Sequence, residues 1–332
     1  MDRPGALAEL RAAVTRFAGE HTPRDPGWCV ALSGGPDSLA LTAAAAALRP
    51  TTALIVDHQL QQDSAEVART ARAQALTVGC VAARILRVEV GAVGGPEAAA
   101  RSARYAALDE ARAGAAVLLA HTLDDQAETV LLGLGRGSGP RSIAGMRSYD
   151  PPWGRPLLGV RRAVTAAACA ELQLTPWSDP HNTDARFTRV RLRTEVLPLL
   201  EDVLGGGVAE ALARTADALR ADGEVLDVLA AQVLDLARRA DGLAVAELTE
   251  VAPAVRRRVL RAWLLAGGAR GLTDRHIRGV EALVSAWHGQ GGVAVPGSRP
   301  GHRLFARREA GMLTLHIEPV RRTASAGPQL PG

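Results

Sequence analysis

The chain has 332 residues, 47% of them hydrophobic, and a formal net charge of +4, which leaves room for two packed domains of a soluble globular protein. Its basic residues are all arginine, and with so much alanine and glycine this marks a GC-rich genome rather than selection for phosphate binding. Cys29, Cys80 and Cys169 form neither a disulfide framework nor a CxxC pair, and no apolar run approaches the ~18 residues of a membrane span; a cytoplasmic protein with no membrane partner is expected.

"MDRPGALAELRAAVTRFAGEH" places apolar residues at helical spacing. In "VALSGGPDSLAL", Val30 to Leu41, an apolar strand stops at Ser33 and a strong helix former starts after Gly35. Strand, glycine turn and helix make a phosphate cradle, because glycines admit an anion to the backbone and the helix presents free amides. No lysine follows, and Asp37 stands where a dinucleotide fingerprint needs glycine, so neither the kinase-type phosphate loop nor the Rossmann signature fits. A carboxylate beside phosphates repels them unless a cation intervenes, so Asp37 is the candidate ligand for Mg²⁺. Then come the strand "TTALIVD", a helix over 64–76, the strand "ARILRVEV", a helix over 96–113, the strand "AAVLLA" and a helix from Leu123. This alternation predicts an α/β fold with a doubly wound parallel sheet, whose ligands sit at the carboxyl ends of the strands. Ser33 to Ser38, Asp57 with His58, and His121 occupy three such ends.

In "AHTLDDQAETVLLGLGRGSG", His121, Asp125 and Glu128 fall near one helix face. As a helix start, Asp124 and Asp125 serve equally well as capping charges; at the sheet edge, the acids suit recognition of an amine, a metal or a proton. Arg101, Arg104 and Arg136 are further basic candidates, and "DARFTRVRLR" packs Arg186, Arg189, Arg191 and Arg193 into eight positions. If that segment is helical, Arg186, Arg189 and Arg193 share a face suited to nucleic-acid phosphates. "GGG" at 205–207 marks a hinge between a first domain over 1–204 and a smaller, mostly helical domain over 208–320. Short strands in "GGVAVPG", "HRLFARR" and "GMLTLHI" close that domain, and a disordered tail covers 321–332.

The ordered motifs "SGGPDS", "VDHQLQQDS", "ARSARYAAL", "AHTLDDQAETVLLGLGRGSG", "RPLLGVRR" and "WSDPHNTDARFTRVRLRTEVLP" resemble the bacterial tRNA(Ile)-lysidine synthetases, a family of N-type ATP pyrophosphatases (the PP-loop superfamily), over roughly Val30 to Leu200. The resemblance implies an adenine-nucleotide alpha-hydrolase-like, Rossmann-like first domain. It also implies a ligase that joins L-lysine to C2 of the wobble cytidine in an isoleucine tRNA with a CAU anticodon, through an adenylated cytidine. ATP is then the co-substrate on Ser33, Gly34, Gly35, Pro36, Asp37, Ser38, Asp57, His58, Arg104 and Arg136, with Mg²⁺ on Asp37. His121, Asp125 and Glu128 bind and deprotonate lysine, any one of them serving as base, and Arg101, Arg186, Arg189, Arg191 and Arg193 contact the tRNA, as does the helical substrate- and tRNA-binding domain over 208–320. The chain departs from the family pattern at Gln61, Thr122, Gly133 and Gly135, where arginine or, at Thr122, a second histidine is usual. Acting as a homodimer is compatible with the resemblance.

Two other readings share these motifs. A tRNA thiolase of the same superfamily would activate the base identically and deliver sulfur, but Cys29 and Cys80 read as core positions. A catalytically silent RNA- or nucleotide-binding protein would have no use for Asp37 or the acidic helix.

Overall fold

Nine strand and helix signals read from the sequence up to the helix at Leu123 fold into one half of the protein, and they place the candidate strand ends along one edge. The computed structural model describes residues 5–59, 63–89, 91, 95–137, 139–179, 184–297 and 302–319; Gln61 and the tail expected over 321–332 lie outside them. Helix α1 (Ala6–His21) buries Leu10, Ala13, Val14, Phe17 and Ala18, the three- and four-residue spacing of an amphipathic face. It is followed by β1 (Trp28–Ala31), α2 (Pro36–Ala46), β2 (Thr51–Asp57), α3 (Ser64–Thr77), β3 (Ala82–Arg87), α4 (Pro96–Ala111), β4 (Val117–Leu118) and α5 (Leu123–Gly135). A short helix α6 (Pro140–Ile143), the strands β5 (Tyr149–Asp150) and β6 (Trp153–Gly154), and α7 (Arg162–Glu171) come next.

The sheet order is β3-β2-β1-β4-β6-β5, with β1 parallel to both β2 and β4. The strand order therefore reverses at β1, and the gap between the carboxyl ends of β1 and β4 is the switch-point crevice of a doubly wound sheet. β1 is buried on both faces: Trp28 and Val30 join one core with Leu10, Leu39, Leu41 and Leu157, while Cys29 joins another with Leu54, Leu108 and Val117. This is why the strand reads as a continuous apolar run rather than an alternation. The indole of Trp28 is satisfied by donating to the Thr51 hydroxyl at 2.8 Å. The antiparallel β5–β6 edge was not anticipated, because two-residue strands carry no periodicity.

Beyond α7 the chain forms α8 (Thr188–Arg191), a π-helical turn (Leu192–Val196), α9 (Leu197–Val203) and α10 (Val208–Ala237). Gly205, Gly206 and Gly207 between α9 and α10 all have positive φ, at 79°, 90° and 74°, a conformation that costs other residues about 1–2 kcal/mol each. Leu197 of α9 and Ala209 of α10 pack on Leu123 and Ala127 of α5. The chain divides into two compact units, residues 1–136 with 143–217 and residues 137–142 with 218–332.

The second unit contains the remainder of α10, β7 (Arg238–Arg239), β8 (Gly242–Ala244), α11 (Ala246–Thr249), α12 (Pro253–Ala266), α13 (Asp274–Ser285), β9 (Val293–Val295), β10 (His302–Glu309) and β11 (Met312–Pro319). Its antiparallel sheet, ordered β7-β8-β11-β10-β9, is larger than the short terminal element expected. Two of its strands sit in "RRADGLA", where Gly242 is required: a Cβ there would lie 1.9 Å from the Leu313 carbonyl oxygen. Leu243, Leu248, Leu260, Leu264, Val280, Leu283 and Leu313 fill its core. Among the described residues no helix is long and apolar enough to cross a membrane.

Candidate active site

The loop between β1 and α2 is closed by its own serines. Ser38 Oγ accepts the Ser33 N–H at 3.2 Å, lies 3.1 Å from Ser33 Oγ and donates to the Gly35 carbonyl at 3.0 Å. Gly34 has φ +87°, and its carbonyl accepts the Trp177 N–H at 3.0 Å. Pro36 opens α2, where a missing N–H costs nothing, and Gly35 at the N-cap supplies no side chain. The first-turn amides thus face the crevice with the positive end of the helix behind them.

Asp37 stands at this helix start. Its Oδ1 accepts a short hydrogen bond from the Thr165 hydroxyl, and its Oδ2 lies 3.3 Å from Arg162 Nε. Burial raises its pKa, against the opposing pull of Thr165 and Arg162. Arg162, the first residue of α7, is the hub of the site. Its guanidinium reaches Asp125 at 2.7 Å and Glu128 at 3.5 Å as well as Asp37, and its backbone N–H donates to Asp124 Oδ2 at 2.8 Å. Burial disfavours its charge, but Asp125, Asp37 and Glu128 outweigh that and hold its pKa above the ordinary arginine value.

The capping reading of the acidic helix holds. Thr122 and Asp125 form a capping box at the start of α5, with Asp125 Oδ2 accepting the Thr122 N–H and hydroxyl at 2.8 and 2.7 Å, while Oδ1 faces Arg162. Burial pushes the Asp125 carboxyl up, but Arg162 and the two Thr122 hydrogen bonds outweigh it, and the pKa is lowered. Glu128 is fully buried and meets Arg193 at 2.8 Å, Arg162 at 3.5 Å and Arg189 at 3.6 Å. Asp37, Asp125 and Glu128 are therefore matched by Arg162, Arg189 and Arg193, the condition under which buried charges are tolerated.

His121 leaves β4 beside this cluster. Burial lowers its pKa to about 4, Asp125 opposing and Arg155 adding to the effect, so the imidazole is neutral at pH 7. Its Nδ1 is buried without a hydrogen-bond partner among the described residues. At the end of β2, the buried Asp57 accepts the Gln59 N–H at 3.0 Å, and His58 Nε2 accepts from Arg104 Nε at 3.3 Å. That bond assigns the proton to His58 Nδ1, again buried and unpartnered among the described residues. Arg101 lies over the Tyr105 ring, 5.0 Å from its centroid. Arg136 is the exposed C-cap of α5.

The single basic face expected of Arg186, Arg189 and Arg193 does not form. Arg186 precedes α8 and pairs with Asp184 at 2.7 Å, and the π-helical turn from Leu192 shifts the phase that an α-helix would keep. Arg191 pairs with Glu195 at 2.9 Å. Arg189 and Arg193 turn to Glu128 and belong to the acid cluster. The residues missed from sequence are Arg162 and Thr165. "RPLLGVRR" flagged their neighbourhood, but no spacing rule links α7 to a carboxylate 125 positions earlier.

Family models match the PP-loop domain over residues 8–200 and a TilS substrate binding domain over 243–314. The chain is 70% identical over 321 residues to a tRNA(Ile)-lysidine synthase of Mycolicibacterium paratuberculosis, covering 97% of this chain and all of the relative. It is 69% identical to that of Mycobacterium tuberculosis strain H37Rv over 324 residues, covering 96% of this chain and all of the relative. Among solved structures, a U34-tRNA thiolase of Methanococcus maripaludis with its 4Fe-4S cluster superposes with a TM-score of 0.52 at 17% identity, over 64% of this chain and 79% of that one; this likeness speaks for the fold alone. With the serine-closed loop, the acid–arginine cluster and near full-length identity of this order, the chain belongs to the tRNA(Ile)-lysidine synthase family.

Proposed function

We propose that this protein ligates L-lysine to C2 of the wobble cytidine of an isoleucine tRNA with a CAU anticodon, in the cytoplasm, consuming ATP and releasing AMP and pyrophosphate. The observation that carries the reading is the junction of a phosphate-type loop with a buried acid cluster at the same switch point, joined through Arg162. Ser33 to Ser38 and the first turn of α2 would hold the pyrophosphate portion of ATP, with Arg104, Arg136, Asp57 and His58 around the rest of the nucleotide. Cytosine O2 attacks the α-phosphorus and the bond to the β-phosphate oxygen breaks, so the departing group is pyrophosphate, which accounts for a loop without the kinase lysine.

A single carboxylate suits Mg²⁺, which takes one or two protein carboxylates and keeps water and phosphate oxygens as its other ligands. Asp37 fits this, since each of its oxygens holds one hydrogen bond and retains a lone pair. The ion would supply charge neutralisation on the phosphates.

The lysine ε-amine then attacks C2 and the C2–O bond to AMP breaks. With a free pKa of about 10.4, the amine must shed a proton. Asp125 and Glu128 offer it acceptors, and the adjacent guanidinium groups favour its neutral form. Of the three candidate bases, His121 is the one uncharged at pH 7, and its pKa lowered to about 4 makes it a weak base, so Asp125 and Glu128 stay candidates beside it. Arg101, Arg186 and Arg191 are the proposed tRNA contacts of this unit. A homodimer is the proposed assembly. The test is base identity: a tRNA with uridine at the wobble position should support neither pyrophosphate release nor lysine incorporation, and equal turnover of the two tRNAs would refute it.

A further inference from the structure

Glu128 is met by three guanidinium groups, and they are not held alike. Arg162 is also fastened by Asp37 and Asp125, at 3.3 and 2.7 Å, and Arg193 donates to both Glu128 oxygens, at 2.8 and 3.4 Å. Arg189 comes from the short helix α8. Its Nη1 stands 3.6 Å from Glu128 Oε2, beyond hydrogen-bond length, and its Nη2 donates to the Thr129 hydroxyl at 3.3 Å. It is also the most exposed of the three, at 47% against 29% for Arg193 and 22% for Arg162. Glu128 has no exposed side-chain surface, so a cation arriving from solvent reaches its carboxylate only if a neighbour moves. Asp37, Asp125 and Glu128 already face Arg162, Arg193 and Arg189, and a substrate ammonium added to that set would place four cations on three carboxylates. The cation that leaves at least cost is the one with the longest contact and the most water around it.

We propose that Arg189 is a placeholder for the ε-ammonium of the substrate lysine: it covers Glu128 in the empty site and is displaced into solvent when the ammonium takes its place. This rests on the functional reading above and adds to it a residue that sets the affinity for lysine. A half-exposed guanidinium loses little on leaving, because water solvates it, while the ammonium is a compact charge with three donors that suits a carboxylate held at one oxygen by a single long hydrogen bond. Arg162 and Arg193 stay in place and keep the bound amine next to positive charge.

The test is equilibrium binding of L-lysine to the full chain in the presence of ATP, followed by calorimetry. Arg189→Gln should tighten lysine binding about fivefold, the worth of a half-exposed ion pair that no longer has to be broken, and the lysine KM should fall with it. Arg189→Lys keeps a cation on Glu128 and should stay within about twofold of the parent, which guards against a defect of folding. Methylguanidinium ion, which carries the head group of arginine, should compete with lysine at about fivefold lower concentration in Arg189→Gln than in the parent. A guanidinium that instead shapes the lysine site would give weaker binding in Arg189→Gln. Weaker or unchanged lysine affinity in that variant, or equal tightening in Arg189→Lys, overturns the placeholder and leaves the functional reading intact. A parent chain that neither binds lysine nor joins it to the CAU-anticodon tRNA would overturn both.

Discussion

Replacing Arg162 by Gln removes a side chain that touches Asp37, Asp125 and Glu128 together. At an effective dielectric of about 20, unit charges about 4 Å apart attract by about 4 kcal/mol, and breaking a buried pair costs about 3–5 kcal/mol. Glu128 keeps Arg193 and Arg189, so the loss falls on Asp37 and Asp125, which are only partly shielded from water. The first unit should therefore be destabilised by about 2–3 kcal/mol at pH 7, below the full buried-pair value. The pH dependence follows from the two carboxyls. Asp125 has a lowered pKa in the folded parent, so its stabilising contribution is complete above the ordinary Asp value of about 3.9 and is lost only as pH falls through the folded value. Asp37 is already raised, so its charged form opposes folding at neutral pH and protonation relieves it. Without Arg162 both carboxyls are harder to ionise, so the variant regains stability relative to the parent as pH falls from 7 through their raised values. Amide hydrogen exchange of β1 and β2 in the full chain reports this free energy for the first unit. A destabilisation below about 1 kcal/mol, the size of an ordinary substitution, or one constant with pH would refute the hub role of Arg162.

Asp37→Asn should lower adenylation, read as tRNA-dependent pyrophosphate release, by about 10²–10³-fold, while exchange protection of β1 stays near the parent's; near-normal turnover at saturating Mg²⁺ and ATP would remove Asp37 from the chemistry. His121→Ala should slow lysine transfer by about 10²-fold, the low end of the general-base range for a residue with a pKa lowered to about 4, with tRNA affinity unchanged. Because the His121 pKa is lowered to about 4, the parent's lysine kcat/KM should carry no histidine inflection near pH 6.5, and one that disappears in the variant would contradict the assignment. Asp125→Asn should raise the lysine KM about tenfold, about 1.4 kcal/mol, and leave the ATP KM within about twofold; a parent-like lysine KM would place the amine elsewhere.

Much of this was legible because the residues involved are local. The strand–turn–helix at Ser33 to Ser38, the polar strand ends at Asp57 and His121, and the acidic start of α5 each depend on a few adjacent positions, and each is where the pattern put it. The partners of the acids were not legible. Arg162 comes from a helix that reaches the cluster only through the sheet order, and Arg189 and Arg193 turn inward because a π-helical turn breaks the phase that a spacing rule assumes. The boundary between compact units falls inside α10, at 217, rather than at the glycines, since Ala209 completes an apolar contact with α5 that periodicity along one helix does not reveal. In the second unit, β7 and β8 are too short to carry a pattern, and Gly242 is explained only by the Leu313 carbonyl facing it.

The central claim is that one crevice activates a tRNA base with ATP and then gives it to lysine. Its most direct test is to follow pyrophosphate, AMP and covalently bound lysine in a single turnover with ATP and the CAU-anticodon isoleucine tRNA, with and without lysine. The account predicts pyrophosphate release that requires the tRNA, AMP that stays on the RNA until lysine is added, and then one lysine gained for each AMP released. Pyrophosphate formed without tRNA, or AMP transferred to lysine before the RNA is present, would contradict it.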